Sequence, residues 1–316
     1  MSGPDPLDPV GAGGVGEAVD VVDVVDVVVV TYTPGETLPR FLDSLVGATT
    51  RPTRVVMADN GSLDGVPEAE AAAGRAALLP SGGNLGYGTA ANRGVAAGDA
   101  AWVVVSNPDV AWLPGSLDAL LAAGDRHPRG GAFGPLVQDP DGRLYPSARA
   151  LPSLGRGIGH ALVGWAWAGN PWTRAYRQEA LAVSERETAW LSGSCLLLRR
   201  EAFEAVGGFD EGYFMFFEDL DLGERLVAAG WSSVYVPSAR VTHVGGHTWR
   251  SDPAPMLRAH HESARRYVSL RWSGSAWLPL RAAVRVGLAV RFRLSRVVGA
   301  VGRGARPTRR VSGPAG

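Results

Sequence analysis

Val24 to Thr31 is a run of eight residues in which only Asp26 interrupts a β-branched sequence. A strand with no polar alternation is buried on both faces, and that happens chiefly in parallel sheets covered by helices on each side. The segments that follow keep this reading. Thr37 to Val46 places Leu38, Phe41, Leu42 and Leu45 at helical spacing. Arg54 to Ala58 reads as a second strand, Thr89 to Ala97 as a helix entered through a glycine-rich loop, and Trp102 to Val105 as another strand. Strands alternating with helices predict an α/β fold with a mostly parallel central sheet flanked by helices. Such sheets bind ligands at the carboxyl ends of their strands. The polar clusters fall there: Asp59-Asn60-Gly61-Ser62 after the second strand, and Ser106-Asn107-Pro108-Asp109 after the Trp102 strand. Further on, Trp190 to Arg199 has strand character, Glu201 to Val206 and Leu220 to Ala229 look helical, and Ser233 to Val236 is a late strand.

With 316 residues and 46% hydrophobic content, the chain can build one large core or two modest ones. Its single cysteine, Cys195, excludes an internal disulfide and fits a reducing compartment. Residues 1–23 are rich in Gly, Asp and small residues and are expected to be disordered, with no basic and apolar pattern of a signal peptide. No uncharged apolar stretch reaches the length of a spanning helix. The net charge of zero hides an asymmetry: Ser263 to Gly316 holds 12 arginines and no acid.

Several clusters carry chemistry. Phe217-Glu218-Asp219-Leu220-Asp221 sets three carboxylates directly behind the aromatic run Phe214 to Phe217. A carboxylate against aromatic rings resists ionisation and is suited to accept a proton. Asp109, at a strand end, can hold a divalent cation against a diphosphate, as Mg²⁺ takes one or two protein carboxylates plus phosphate oxygens. A histidine after the late strand, His243 or His247, can be a neutral nitrogen ligand of the same ion. Asn84-Leu85-Gly86-Tyr87-Gly88 precedes a helix containing Asn92, and its glycines let the backbone approach phosphate. It lacks the third glycine of the dinucleotide fingerprint, which argues against a dehydrogenase. Zinc-finger spacing, a nucleophile elbow and a nucleic-acid module are all missing from the sequence.

In order along the chain, these pieces resemble the family 2 inverting glycosyltransferases of the GT-A fold, over about residues 24 to 272. Within that family the chain looks most like bacterial rhamnosyltransferases that act on N-acetylglucosaminyl-diphospho-polyprenol. The resemblance implies residue roles. Thr31, Tyr32 and Asp59 would contact the nucleotide; Asn84, Gly86, Asn92 and Asn107 would line the nucleotide-sugar pocket. Asp109 stands at the last position of the Asp-x-Asp motif, whose first position is Asn107 here, and would bind Mg²⁺ or Mn²⁺ with His243. Asp219 would be the catalytic base with Glu218 as its neighbour, and Trp190, Gly193 and Ser194 would meet the acceptor. The implied donor is a nucleotide sugar, dTDP-L-rhamnose before a UDP- or GDP-linked galactofuranose, mannose or glucose. An inactive sugar-nucleotide-binding scaffold is the alternative outside catalysis.

Residues 273–316 form the expected basic extension, with an amphipathic helix over 277–303. Arg281, Arg285, Arg293, Arg296 and Arg303 share one face of it. Together with Trp165, Trp167 and Trp172, it predicts peripheral attachment to an anionic membrane surface from the cytoplasmic side.

Overall fold

The computed structural model describes residues 24–151, 183–244 and 253–304, with side chains placed in the last segment up to Arg293. The expected disordered N-terminus, Trp165, Trp167, Trp172 and His247 lie outside the described residues. In chain order the elements are β1 (Val25–Thr31), α1 (Thr37–Val46), β2 (Thr53–Asp59), α2 (Val66–Ala72), β3 (Ala77–Pro80), α3 (Tyr87–Ala96), β4 (Trp102–Ser106) and β5 (Val110–Trp112). There follow α4 (Ser116–Arg126), β6 (Gly130–Gln138), β7 (Leu144–Tyr145), β8 (Ala148–Arg149), β9 (Arg186–Thr188), β10 (Trp190–Leu191), β11 (Cys195–Arg199) and α5 (Arg200–Ala205). The last are α6 (Glu218–Ala228), β12 (Ser232–His243), α7 (Pro253–Arg271) and α8 (Leu278–Gly304).

The main sheet runs β3-β2-β1-β4-β11-β6-β12-β5. Its first four strands are parallel, and β12 is parallel to β6. The antiparallel members are β11, between β4 and β6, and β5 at the edge. β1 is buried along its whole length because both of its faces are covered. Val25, Val27 and Val29 pack with Leu38 and Phe41 of α1 and Leu117 and Leu120 of α4. Val28 and Val30 pack on the other side with Ala90 and Ala91 of α3, Phe203 of α5 and Leu222 and Leu226 of α6. The unbroken apolar run therefore has a cause in the layer architecture.

Three departures from the sequence reading matter for function. The Trp190 to Arg199 segment is not one strand: a turn at Ser192–Ser194 divides it into β10 and β11. The late strand is longer than Ser233–Val236, because a register irregularity between Val236 and Arg240 lets pairing with β6 resume and carries the strand on to His243. The acidic helix starts at Glu218, not Leu220, because Phe216 and Phe217 both adopt positive φ and turn the chain into the helix there.

The chain divides into two compact units, residues 1–247 and 248–316, so the expected boundary at 272 falls between the two helices of the second unit. That unit holds α7 and α8. Leu280, Val284, Leu288 and Phe292 form the half-buried stripe of α8, whereas Val286 is 63% and Val290 50% exposed. Among the described residues no helix is long and apolar enough to cross a membrane.

Candidate active site

At the carboxyl end of the parallel strands, Thr31 pairs in register with Asp59. The buried Asp59 carboxylate accepts from the Thr31 hydroxyl at 2.7 Å, from the backbone N–H groups of Gly61 and Ser62 at 3.0 Å each, and from the Ser62 hydroxyl. Burial by itself would raise its pKa, but these donors outweigh burial and hold Asp59 below the usual carboxylate range. The charge thus shapes its own turn. Next to it, Asn60 donates to the Gly86 carbonyl at 3.1 Å and accepts from Leu85 N–H, fastening the Asn84–Gly86 loop to the end of β2. Asn84 accepts from the Gly86 N–H at 3.2 Å. Gly86 has φ +91°, and a Cβ there would lie 2.3 Å from the Phe214 carbonyl oxygen. Only glycine permits this close passage.

Tyr32, the residue that follows β1, is about half exposed. Asn92 is placed differently from a pocket-lining residue. Its amide donates to the Phe209 carbonyl at 2.9 Å and to Glu211, and its oxygen accepts from Phe209 N–H at 2.9 Å. It joins α3 to the loop before the aromatic run.

Beyond β4, the antiparallel pairing of β5 with β12 sets His243 opposite Val110. This brings His243 Nε2 within 3.0 Å of Asp109 Oδ1 and 3.4 Å of Asn107 Nδ2. Val244 N–H also donates to the Asp109 carbonyl at 3.1 Å. An octahedral cation with ligands at the Mg²⁺ distance spaces adjacent ligand atoms about 3 Å apart, so the Asp109–His243 pair has the spacing of two neighbouring ligands. Among the described residues no third His, Cys, Asp or Glu joins them. A cation here would keep open positions for phosphate oxygens, as Mg²⁺ sites at phosphates do.

The acids open α6. Glu218, Asp219 and Asp221 sit in its first turn, where free N–H groups favour negative charge. They then part in role. Asp221 accepts from Arg225 at 2.7 Å, and Arg225 also donates to the Val206 and Gly208 carbonyls, a structural clasp. Asp219 accepts from Gly193 N–H at 2.9 Å and from its neighbour Leu220 N–H at 2.8 Å. Glu218 is 6% exposed, and its Oε2 is buried with no hydrogen-bond partner among the described residues. Burial, with the adjacent Asp219 charge adding to it, pushes Glu218 up to about 8. Burial also raises Asp219, opposed by the Gly193 N–H and then by Arg149. Neighbouring carboxylates oppose each other's ionisation. The Asp219 carboxylate has N–H donors that favour its charged form, whereas Glu218 Oε2 has none among the described residues.

The turn between β10 and β11 joins the two halves of the site. Gly193 N–H holds Asp219, while the Ser194 carbonyl accepts from Asn107 N–H at 2.9 Å and from the Ser106 hydroxyl at 3.2 Å. Adjacent residues of one turn therefore bond the Asp219 carboxylate and the strand end that leads to Asn107 and Asp109. Trp190 is 4% exposed and donates its indole N–H to the Ala150 carbonyl, so it supports this turn from within the core. One participant was missed by residue-type reasoning: Tyr87, whose hydroxyl donates to the Gly193 carbonyl at 2.7 Å. Its place in the Asn84–Gly88 motif was visible, but its partner 106 residues away was not.

Comparison with known proteins bears on family and fold. The chain matches glycosyl transferase family 2 over residues 26–207 and glycosyl transferase family group 2 over residues 172–295. It is 57% identical over 277 residues to an N-acetylglucosaminyl-diphospho-decaprenol L-rhamnosyltransferase of Mycobacterium tuberculosis, covering 84% of this chain and 90% of that protein. It is 41% identical over 86 residues, 27% of this chain and 33% of that protein, to a rhamnosyltransferase of Escherichia coli. A solved structure of GalNAc-T7 with UDP, GalNAc and Mn²⁺ superposes with a TM-score of 0.51 at 15% identity, over 70% of this chain and 44% of that one, a likeness of fold. The order of motifs, the sheet with its strand-end site and the extent of these matches lead to one conclusion: the chain belongs to glycosyl transferase family 2 and is a glycosyltransferase of the GT-A fold.

Proposed function

We propose that this enzyme transfers L-rhamnose from dTDP-L-rhamnose to an N-acetylglucosaminyl-diphospho-polyprenol, with inversion at the sugar carbon. The substrate classes rest on the likeness to the mycobacterial rhamnosyltransferase over 84% of the chain. The observation that carries the mechanism is the Gly193–Ser194 turn, which ties Asp219 to the strand end bearing Asn107 and Asp109.

The donor lies over the carboxyl ends of β1, β2 and β4. The Thr31–Asp59 turn and the Asn84–Gly86 loop shape its nucleotide end. Asp109 and His243 would hold a divalent cation, Mg²⁺ or Mn²⁺, with Asn107 beside them. When bound, that ion neutralises charge gathering on the departing nucleotide diphosphate. The acceptor hydroxyl approaches the opposite face of the sugar beside Gly193 and Ser194. Asp219 takes its proton as the acceptor oxygen bonds to the sugar carbon and the bond from that carbon to the diphosphate oxygen breaks. One positioned carboxylate suffices for a single displacement, and the neutral Glu218 leaves Asp219 as the charged member of the pair.

The test is direct. Purified enzyme is incubated with a panel of dTDP-, UDP- and GDP-sugars and a polyprenyl-diphospho-GlcNAc acceptor, and the lipid product is weighed by mass spectrometry. A deoxyhexose increment is expected from dTDP-L-rhamnose alone, and it should vanish on chelation of divalent ions. An increment only from a UDP- or GDP-sugar would overturn the donor assignment, and transfer undiminished by chelator would remove the metal.

A polyprenyl acceptor places this chemistry at a bilayer. In α8 the exposed Val286 and Val290 lie on a helix that also carries Arg281, Arg285, Arg291 and Arg293, the composition of an interfacial helix. Each arginine near an anionic surface adds about 1 kcal/mol. The full chain carrying Val286→Glu and Val290→Glu is expected to co-sediment several-fold less with phosphatidylglycerol vesicles than the parent. Equal co-sedimentation of the two would reject α8 as the contact.

A further inference from the structure

We propose that Tyr87 is a positioning residue for the catalytic base: its hydroxyl holds the Gly193 turn so that the Gly193 N–H stays aimed at the Asp219 carboxylate. This inference rests on the reading of Asp219 as base. The geometry is a short relay. Tyr87 Oη donates to the Gly193 carbonyl at 2.7 Å, and Gly193 N–H donates to Asp219 Oδ2 at 2.9 Å. A Cβ on Gly193 would stand 3.2 Å from the Asp219 Cβ, so turn and acid are already in close contact. A shift of the turn by a fraction of an ångström therefore alters how Asp219 is held.

Tyr87 is itself well anchored. Its backbone N–H donates to the Phe214 carbonyl at 3.0 Å, and its ring packs edge-on against Phe209, with centroids 6.1 Å apart. Burial, followed by the nearby Glu218, keeps the phenol protonated far above its ordinary range, so it remains a donor at any working pH. Tyr87 is also the first residue of α3, immediately after the Asn84–Gly86 loop. The residue that starts the donor-side helix thus also fixes the base. A second consequence concerns charge. The Gly193 N–H is the foremost of the groups that oppose the effect of burial on Asp219. Were the turn to drift, Asp219 would hold its proton to higher pH.

The test is Tyr87→Phe in the full enzyme, with kcat, donor KM and the pH–rate profile measured together. The expected result is a fall in kcat of about tenfold or more, donor KM within about twofold, and an acid limb of the profile moved to higher pH. A purely structural hydroxyl would lower thermal stability and leave the acid limb in place. Gly193→Ala presses on the same junction from the other side and is expected to move the limb the same way at saturating substrates, which covers the case of a Tyr87→Phe protein that does not fold. An acid limb unmoved in the folded variants overturns the proposal. Asp219→Asn separates the two readings: if it is inactive while Tyr87→Phe matches the parent in kcat and profile, the base stands and the positioning role falls. If Asp219→Asn is active, the base itself is wrong, and the relay has nothing to position.

Discussion

Asp219→Asn is expected to leave a folded protein whose sugar-transfer rate is about 10²–10⁴-fold lower, the usual worth of a positioned general base. That corresponds to roughly 3–5 kcal/mol of barrier. Asparagine has the same shape, and its amide oxygen can still accept from Gly193 N–H, the contact that Asp219 makes at 2.9 Å. What it cannot do is take a proton. The loss should therefore fall on kcat, with donor affinity kept. The parent enzyme should show an acid limb in its pH–rate profile above the ordinary aspartate value, because burial raises Asp219 and only the ionised form accepts the hydroxyl proton. Activity rises with pH through that limb. Single-turnover transfer by purified Asp219→Asn is the measurement, and a rate near that of the parent would remove Asp219 from the mechanism.

The second large effect is on stability. Asp26→Ala is expected to cost about 3–5 kcal/mol, the usual result of removing one partner from a buried ion pair. Asp26 breaks the apolar run of β1 and is itself 3% exposed. Its carboxylate accepts from Arg54 at 2.7 Å, from Arg200 at 2.7 Å and from Ala100 N–H at 3.0 Å. Hydrogen bonding to Asp26 raises the Arg54 pKa further, against the effect of burial. Alanine leaves two mostly buried guanidiniums without their common acceptor. In thermal melts the midpoint should drop by about 10 °C. Asp26 lies at the amino end of β1 and Thr31 at the carboxyl end, so kcat below the melt should stay with the parent. A midpoint shift of under about 2 °C would show that the arginines find other partners at little cost.

Much of the fold was legible because its signals are local. The β1 run, the Leu38–Leu45 spacing of α1 and the turn residues after β2 and β4 each act within a few positions. β6 gave no such signal. Gly130-Gly131-Ala132-Phe133-Gly134-Pro135 has little strand propensity, yet it lies inside the sheet between β11 and β12. Its small residues are demanded by neighbours: a Cβ on Gly131 would meet Ala202 at 2.9 Å, and one on Gly134 would meet Leu191 at 2.8 Å. Propensity lost there to packing. The helix start at Glu218 was misplaced for a similar reason, since two consecutive phenylalanines at positive φ are strained conformers that only surrounding structure can hold.

The sequence by itself determined the element alternation, the strand-end clusters and the family, because hydrophobic period and short motifs are properties of neighbouring residues. Tertiary structure alone decided which groups act together. Asn107 and His243 come within 3.4 Å although 136 residues separate them. Asp59 turned out to be engaged by its own turn, and Asn92 by Phe209, 117 residues away. Glu218 and Asp219, adjacent and alike as residue types, come to differ in their surroundings. The difference lies in burial and in one N–H from Gly193, and both exist only once distant strands have met.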